Sequence, residues 1–401
     1  MTLLLLTLLL LSCVAAQPAG TRYPPATDDQ YTVVNRIDEE GSVVAVVRRN
    51  GVLFLLHDQT IIGAEFDDPY LRRQTAFPGF TIMQCSAYLT KRPNRAVQIG
   101  LGIGSVPTFL REMDIPTDVV EISDTVVTQA ADYFQYERCP QQIDDEEDDE
   151  EVESEHCPSG RTFVMDGLDF LSSKPVDIGV QEDDDEKDNP YDLFIVDVYT
   201  GWNPFAFFLR EEMVKIRENW LTPDGVLVMN FVGYMQGSRA VAPKSVYRTL
   251  QSVFKHVKSY REMEELDDPT AANIVFYASN EPFSFNLPKS HQYQNPEPNT
   301  YFSVVKNFPT WEIFTELQAD VEVAIHQEIT DEEVRFVSSN GDSSGKNAAP
   351  RVLTEADHGQ EDFREIHAAT QAHMRERVLE QFPPALWAEF KQKQTPLPTS
   401  A

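Results

Sequence analysis

The sequence predicts an α/β protein, with a mostly parallel sheet of seven strands preceded by a small antiparallel β-domain. Between residues 95 and 280, short apolar strand patterns alternate with helix patterns, which is typical of a parallel sheet covered on both faces. Residues 31–66 instead contain four short β-rich runs, and Asn50-Gly51 between two of them is a strong hairpin signal. Apolar residues make up 41% of the 401 residues, which is enough for a folded core.

The alternation in the second region can be followed segment by segment. Seven strand patterns are separated by helix patterns with apolar residues at helical spacing. In chain order they read RAVQIG (strand), SVPTFLREM (helix), TDVVEI (strand), DTVVTQAADYF (helix), RTFVMD (strand), GLDFLSS (short helix), YDLFIVDV (strand), PFAFFLREEMVKIREN (helix), GVLVMNFV (strand), SVYRTLQSVFKHV (helix), VKSYREM and ANIVFYAS (strands).

Changes of composition divide the chain into segments. We expect a signal peptide at 1–16, a polar leader at 17–30, the small β-domain at 31–80, the large α/β domain at 81–280 with acidic inserts at 141–156 and 181–189, a C-terminal extension at 281–337, a linker at 338–350, and a helical and polar tail at 351–401 whose helix spans 361–380.

The charge balance limits the possible partners. With 33 Lys and Arg against 65 Asp and Glu, the net charge is −32, and no basic stripe is visible. Nucleic acid and an anionic membrane surface would both be repelled, so we expect neither as a partner. The acidic inserts are typical of solvated loops, and a cation-binding or basic-partner surface is the alternative.

The N-terminal residues predict entry into the secretory pathway. The apolar core Leu3 to Val14 is too short to cross a bilayer, and Val14 and Ala16 provide the small residues that a signal peptidase needs. We expect cleavage after Ala16, a secreted or secretory-pathway protein and no membrane association after cleavage. The competing interpretation is an uncleaved anchor.

The cysteines fit an oxidising compartment. Cys139 and Cys157 flank the first acidic insert and could close it with a disulfide, which leaves Cys85 as a buried free thiol. Three mature cysteines without a C-x-x-C motif, and eight histidines without ligand spacing, predict no metal site.

The best local signal for chemistry is the loop Gly100-Leu-Gly102-Ile-Gly104-Ser105, which follows the first strand and opens a helix at Ser105. Glycines there allow a tight turn and a close backbone approach to a ligand, and helix N–H groups point toward it. The alternative is a turn that only connects a strand to a helix.

Three acids end the next strands of the pattern. Glu121 lies where a carboxylate can accept both hydroxyls of a ribose. Asp166 lies where it can accept an adenine amino group, while the backbone N–H groups of Gly167 and Leu168 reach the ring. Asp197 ends the fourth strand. Ligands bind at the carboxyl ends of such strands, although a strand-end acid such as Asp166 can also simply cap a helix.

These motifs together resemble the spermidine-synthase-like branch of class I S-adenosylmethionine-dependent methyltransferases. The resemblance covers about residues 31–280 and is strongest to the C-terminal domain of the eukaryotic methyltransferase that modifies elongation factor 1-alpha. The matching segments are IGLGIGSVPTF, DVVEIS, DGLDFL, YDLFIVDV and LTPDGVLVMNFV. The resemblance implies a Rossmann-like class I methyltransferase sheet.

The resemblance also implies a role for each residue toward S-adenosylmethionine. Asp197 would face the reacting centre. A dinucleotide cofactor is disfavoured, because the acid at the end of the third strand, Asp166, suits a single adenosine with no second nucleotide. The cofactor-binding residues are the methionine-wrapping Gly100, Gly102 and Gly104 with Ser105, the ribose-binding Glu121, and the adenine-binding Asp166, Gly167 and Leu168.

The chain departs from the aminopropyltransferases of the same branch. Their loop reads G-G-G-D-G-G, and Ile103 replaces the acid that grips the amine of decarboxylated S-adenosylmethionine. Thr200 replaces the second acid of their D-S-S-D-P stretch, and their Tyr-Gln pair is absent around Phe77 to Met83. Each charge-assisted bond lost to a polyamine costs about 1.5–3 kcal/mol.

Three functions remain open at this point. The first is methyl transfer to a small-molecule or protein amine, with Asp197 positioning or deprotonating it and Tyr199 and Trp202 shaping its pocket. The second is aminopropyl transfer from decarboxylated S-adenosylmethionine. The third is a catalytically inactive binding module. The resemblance makes a homodimer reasonable.

Overall fold

The structure is a computed structural model. It describes residues 31–39, 41–68, 76–139, 157–175, 177, 190–199, 201, 203–235, 238–262, 271–288, 349–357 and 361–390. The expected signal peptide and leader, both acidic inserts, and almost all of the extension and linker lie outside these residues. Trp202 and Thr200 also lie outside them.

The N-terminal sheet has four antiparallel strands in sequential order. Asn50 and Gly51 both have positive φ, at 50° and 74°, as the mirror-image turn of a two-residue hairpin requires. The strands are β1 (Thr32–Glu39), β2 (Ser42–Arg49), β3 (Val52–His57) and β4 (Thr60–Phe66).

The larger sheet has seven strands, namely β5 (Ala96–Ile99), β6 (Thr117–Glu121), β7 (Thr162–Val164), β8 (Tyr191–Val196), β9 (Leu221–Gly233), β10 (His256–Arg261) and β11 (Ala272–Ser279). Their order in the sheet is β10-β11-β9-β8-β5-β6-β7. The five strands from β9 to β7 in this order are parallel, whereas β11 runs antiparallel to β9 and β10 to β11. The predicted fold class is therefore confirmed.

Helices cover both faces of this sheet because each central strand buries both sides. Along β8, Leu193 and Ile195 pack toward α1 and α2, while Phe194 and Val196 pack toward α4, α5 and α6. The helices are α1 (Pro78–Gln84), α2 (Ser105–Glu112), α3 (Asp124–Phe134), α4 (Gly167–Ser172), α5 (Arg210–Lys215) and α6 (Val241–Val253).

The strand order places a topological switch at β5. The chain leaves β5 toward β6 and β7, and then returns to the other side of β5 as β8. Where connections diverge in this way, a crevice opens at the carboxyl ends of the two strands. The crevice lies between the glycine loop after β5 and Asp197 after β8, which is where the sequence predicted a ligand.

The small sheet buries both of its faces. One face packs against Ile103 of the glycine loop and Val126 of α3. The other face is covered by the C-terminal tail, which forms α7 (Glu361–Glu380) and α8 (Pro384–Glu389). Four apolar tail residues are buried there, namely Phe382, Leu386, Trp387 and Phe390. The tail, for which the sequence suggested no role, is thus an integral layer of the fold.

The search for a membrane-spanning helix found none: within the described part of the chain, no helix is long and apolar enough to cross a bilayer.

Candidate functional site

The glycine loop after β5 packs closely against the end of β8 and against β4. Gly100, Gly102 and Gly104 have φ of 86°, 57° and 76°, a region that residues with a Cβ rarely adopt. A Cβ on Gly100 would lie 2.1 Å from the Asp197 carbonyl oxygen, and one on Gly102 would lie 2.6 Å from the carbonyl oxygen of Ile62 in β4. The loop can touch both the end of β8 and the small sheet only because these residues are glycines.

Gly104 and Ser105 join the loop to α2. Gly104 is the N-cap residue of that helix, and a Cβ on it would lie 2.7 Å from the ring of Tyr136. Ser105 is the first helical residue, and its carbonyl oxygen accepts a hydrogen bond from Gln84 Nε2 at 3.0 Å. The helix α2 therefore begins directly after the glycine loop, as predicted.

Glu121 at the end of β6 is fixed by the backbone around it. Leu101 N–H donates to Oε2 at 2.9 Å and Ser123 N–H donates to Oε1 at 3.0 Å. Burial raises the pKa of this carboxyl, and the two N–H groups and the charge of His57 oppose that rise. Each carboxylate oxygen keeps acceptor capacity beyond one bond, so a pair of ribose hydroxyls has suitable partners.

Asp166 is the N-cap of α4. Its Oδ1 accepts from Leu168 N–H at 2.7 Å and from Asp169 N–H at 3.4 Å. The capping alternative is thus present, and both bonds use the same oxygen. The Leu168 N–H is already engaged, so the N–H of Gly167 in the first turn, which has no intrahelical acceptor, is the better donor to an adenine ring.

Two exposed apolar side chains adjoin these acids. Ile122 is 64% exposed and follows Glu121, and Val164 is 43% exposed and ends β7 before Asp166. Val164 pairs in register with Glu121, so both exposed side chains lie at the carboxyl ends of β6 and β7. An apolar surface at that place suits a heterocycle such as adenine. Sequence reasoning missed both side chains, although an isoleucine directly after a strand-end acid was a usable signal.

Asp197 after β8 is partly buried. Its Oδ1 accepts a hydrogen bond from Asn230 Nδ2 at 2.9 Å. Burial raises the pKa of the carboxyl to about 6, and the bond from Asn230 opposes that rise. A carboxylate in this range can accept and return a proton near neutral pH.

Two amides connect Asp197 to a second carboxylate. Asn230 Nδ2 also donates to Asn273 Oδ1 at 3.0 Å, and Asn273 Nδ2 donates to Glu262 Oε2 at 2.9 Å. A carboxylate at each end fixes the orientation of both amides, since a flipped amide would turn its oxygen toward an acid. Glu262 at the end of β10 additionally accepts from Asn273 N–H at 3.1 Å.

A cavity of about 170 Å³ adjoins this amide chain. It is bounded by Tyr199, Glu262 and Asn273 on one side and by the β3–β4 turn and α7 on the other. The Tyr199 hydroxyl donates to Gly201 O at 3.0 Å, and burial raises its pKa. We call this cavity the acceptor pocket, because the chain of hydrogen bonds that starts at Asp197 ends at Asn273 and Glu262 in its wall.

The four predicted strand-end features are brought together around Gly100 and its neighbours. Glu121 bonds the N–H of Leu101, and the Asp197 carbonyl touches Gly100. Gly167 beside Asp166 is so close to β5 that an added Cβ would lie 2.4 Å from Ile99. Sequence reasoning missed Asn230, Asn273, Glu262 and His57, because they lie on separate strands without a shared motif.

The remaining predicted residues are located as follows. Cys139 and Cys157 form a disulfide with Cα atoms 6.0 Å apart, and Cys85 is a buried free thiol. Ile103 is buried against the small sheet. Among the described residues, no group of three or more His, Cys, Asp or Glu side chains is arranged to hold a metal ion.

The first prediction concerns the contact between the glycine loop and β4. Gly102→Ala should lower the free energy of unfolding by more than Gly51→Ala, measured by urea denaturation. Gly51 also has positive φ, at 74°, but an added Cβ there meets nothing within 4 Å, so it isolates the backbone cost of about 1 kcal/mol. Equal losses in the two variants would contradict the close approach at Ile62.

The second prediction concerns the buried carboxyl of Asp197. Its folded-state pKa is raised, so ionising it costs stability, and the cost appears as pH rises from the unfolded value toward about 6. Asp197→Asn should therefore match wild type in unfolding free energy near pH 4. Above pH 6 it should exceed wild type by on the order of 1–2 kcal/mol.

The matched control is Asp132→Asn, which removes the same charge from an exposed position on α3. If the difference in unfolding free energy between Asp197→Asn and wild type did not change with pH, the raised pKa of Asp197 would be contradicted.

Comparisons with known proteins give one similar sequence and several similar structures. No family model matches the chain. An N-terminal histidine N-methyltransferase from Emericella nidulans is 23% identical over 273 residues, which cover 63% of this chain and 43% of the relative. The chain thus spans less than half the length of that relative.

Two solved structures are similar in part. A probable spermidine synthase from Corynebacterium glutamicum aligns at 15% identity with a TM-score of 0.48, over 65% of this chain and 84% of its own. Human Methyltransferase-like protein 13 in complex with SAH aligns at 19% identity with a TM-score of 0.37, over 60% and 89%. The strand order rather than these partial superpositions carries the assignment. This chain has a Rossmann-like class I methyltransferase sheet preceded by a small antiparallel β-domain, as the sequence predicted.

Proposed function

We propose that this protein is a methyltransferase that binds S-adenosylmethionine at the glycine loop and methylates an amine. The observation that carries the proposal is the hydrogen bond that joins the glycine loop to Glu121, the acid placed to bind a ribose. Glu121 accepts from Leu101 N–H inside the loop, and the positions of Gly100 and Gly102 have no room for a Cβ.

The fit to the cofactor follows from the residues around that junction. The N–H groups at the start of α2 and the loop backbone suit the methionine portion, and Glu121 suits the ribose. Asp166, the Gly167 N–H and the exposed Ile122 suit adenine. When bound, S-adenosylmethionine supplies a methyl group on a positively charged sulfur.

Asp197 is the residue that prepares the acceptor. An ammonium ion has no lone pair for a new bond, so an amine must lose a proton before it can be methylated. The pKa of Asp197, raised to about 6, leaves the carboxylate ionised at neutral pH but basic enough to take that proton. Asn230 holds Oδ1 at 2.9 Å and so orients the carboxylate.

The nature of the acceptor is supported by the curated relative. That protein is named as an N-terminal histidine N-methyltransferase, so a polypeptide amine is the first acceptor to test. Tyr199 contributes an aromatic wall to the acceptor pocket, and an aromatic face favours a cationic group.

Aminopropyl transfer from decarboxylated S-adenosylmethionine is the second candidate. Glu262 favours it, because this carboxylate lines the acceptor pocket and could hold an ammonium. Against it, Ile103 is buried in contact with the small sheet and supplies no acid for the cofactor amine. We therefore rank methyl transfer first.

We further propose that the protein works in the secretory pathway or outside the cell. The apolar segment 1–16 and the disulfide between Cys139 and Cys157 support this location, since disulfides persist in oxidising compartments. A homodimer is proposed from the family resemblance alone.

The third prediction tests cofactor binding by calorimetry. Wild-type protein should bind S-adenosylmethionine, and Glu121→Gln should weaken binding at least about tenfold, since a carboxylate bond to a hydroxyl is lost. Asp132→Asn on the exposed face of α3 is the charge-matched control and should bind like wild type.

Two results would overturn the proposal. Tighter binding of the decarboxylated cofactor by wild type would favour aminopropyl transfer. Failure to bind either cofactor would favour a catalytically inactive binding module. With cofactor bound, incubation with a peptide that begins with histidine should yield a mass increase of one methyl group in the peptide.

A further inference from the structure

We propose that α7 makes the acceptor pocket selective for an amine that carries an anionic group, with Arg375 and Arg377 receiving that group. The inference rests on the proposed function, because it takes the cavity at the end of the hydrogen-bond chain from Asp197 as the acceptor site. It assigns a substrate class and two specificity-determining residues in a tail that the sequence motifs do not cover.

The walls of the acceptor pocket come from opposite parts of the chain. Tyr199, Glu262 and Asn273 belong to the α/β domain and include the end of the amide chain that starts at Asp197. Facing residues come from α7, which contributes Gln371, Met374, Arg375, Arg377, Val378 and, just after it, Gln381. An acceptor in the cavity would therefore touch Glu262 on one side and the guanidinium groups of α7 on the other.

Among the described residues, side chains of both charges line the acceptor pocket. Asp58 and Glu262 contribute two negative charges, and Arg375 and Arg377 contribute two positive charges. A polyamine carries at least two ammonium groups and would place one of them near a guanidinium. A molecule with one ammonium and one carboxylate meets an opposite charge at each end instead.

Contacts on both flanks hold α7 in position. Arg377 Nη1 donates to Ala271 O at 3.2 Å, and Arg375 Nη2 donates to Gln59 Oε1 in the β3–β4 turn. Met374 packs in one cluster with Tyr199, the tyrosine of the pocket. A guanidinium has five N–H donors in a planar fork, so Arg377 retains donors for a carboxylate after this bond.

The anchoring of the tail supports the same conclusion. Phe382, just beyond α7, contacts Phe54 of β3 edge-on with ring centroids 5.0 Å apart, and the Phe205 and His367 rings lie 5.9 Å apart at the other end of the helix. Since α7 is held at both ends, its arginines face the cavity on a fixed element rather than on a loose tail.

The test compares three small amines of matched length by calorimetry, with S-adenosylhomocysteine present to fill the cofactor groove. The probes are 4-aminobutyrate, butylamine and putrescine, which differ only in having a carboxylate, a methyl or an ammonium at the far end. Wild-type protein should bind 4-aminobutyrate at least about tenfold more tightly than putrescine, the value of one charge-assisted bond.

Charge reversal then locates the effect. Arg375→Glu with Arg377→Glu should invert the order, so that putrescine binds more tightly than 4-aminobutyrate. Arg364→Glu reverses one charge at an exposed position of α7 that does not line the pocket, and should keep the wild-type order, whereas Arg377→Glu alone should reduce the preference. Arg375→Gln, which disturbs the helix least, should reduce the preference without inverting it.

The outcomes separate this inference from the proposed function. If S-adenosylhomocysteine binds but 4-aminobutyrate shows no advantage over putrescine, or if charge reversal leaves the order unchanged, the inference is wrong and the cofactor proposal stands. If wild-type protein binds no cofactor, the proposed function fails and this inference fails with it.

Discussion

The arrangement depends on one steric constraint, the passage of the loop after β5 between the end of β8 and the edge of the small sheet. Gly100 and Gly102 make that passage possible because a Cβ at either position would overlap a carbonyl oxygen. The passage brings Leu101 N–H onto Glu121 and leaves Asp197 on the far side of the same loop. The small sheet is therefore a wall of the site as well as a separate layer of the fold.

A second constraint is electrostatic. Asp197 and Glu262 are two carboxylates that share one chain of hydrogen bonds through Asn230 and Asn273, and each amide donates to an acid. Such a chain keeps the acids apart and sets their orientation without neutralising them. The pKa of Asp197 is raised to about 6, while Glu262 lines a pocket that also holds Asp58 and the two arginines of α7. Under the proposed function, one end of the chain would serve proton transfer and the other would serve recognition.

The sequence revealed the parts of the site that lie within single strand-loop-helix units. Alternating apolar runs predicted the strands, and Gly100, Glu121 and Asp166 were visible because each directly follows a strand. Glu262, Asn273 and α7 were not predictable, since they are far apart in the chain and meet only through the sheet order and the packing of Phe382 and Trp387 on the small sheet. The capping of α4 by Asp166 also shows that a residue predicted for binding can carry a structural role at the same time.

The central claim is that the cofactor lies against the glycine loop and Glu121, and hydrogen exchange measured by mass spectrometry tests it most directly. Addition of S-adenosylhomocysteine should slow amide exchange in peptides that contain Gly100 to Ser105 and Glu121 to Ser123. Peptides from α8 (Pro384–Glu389), which packs on the opposite face of the small sheet, should exchange as before. Protection confined to other segments, or no protection at a saturating ligand concentration, would contradict this account.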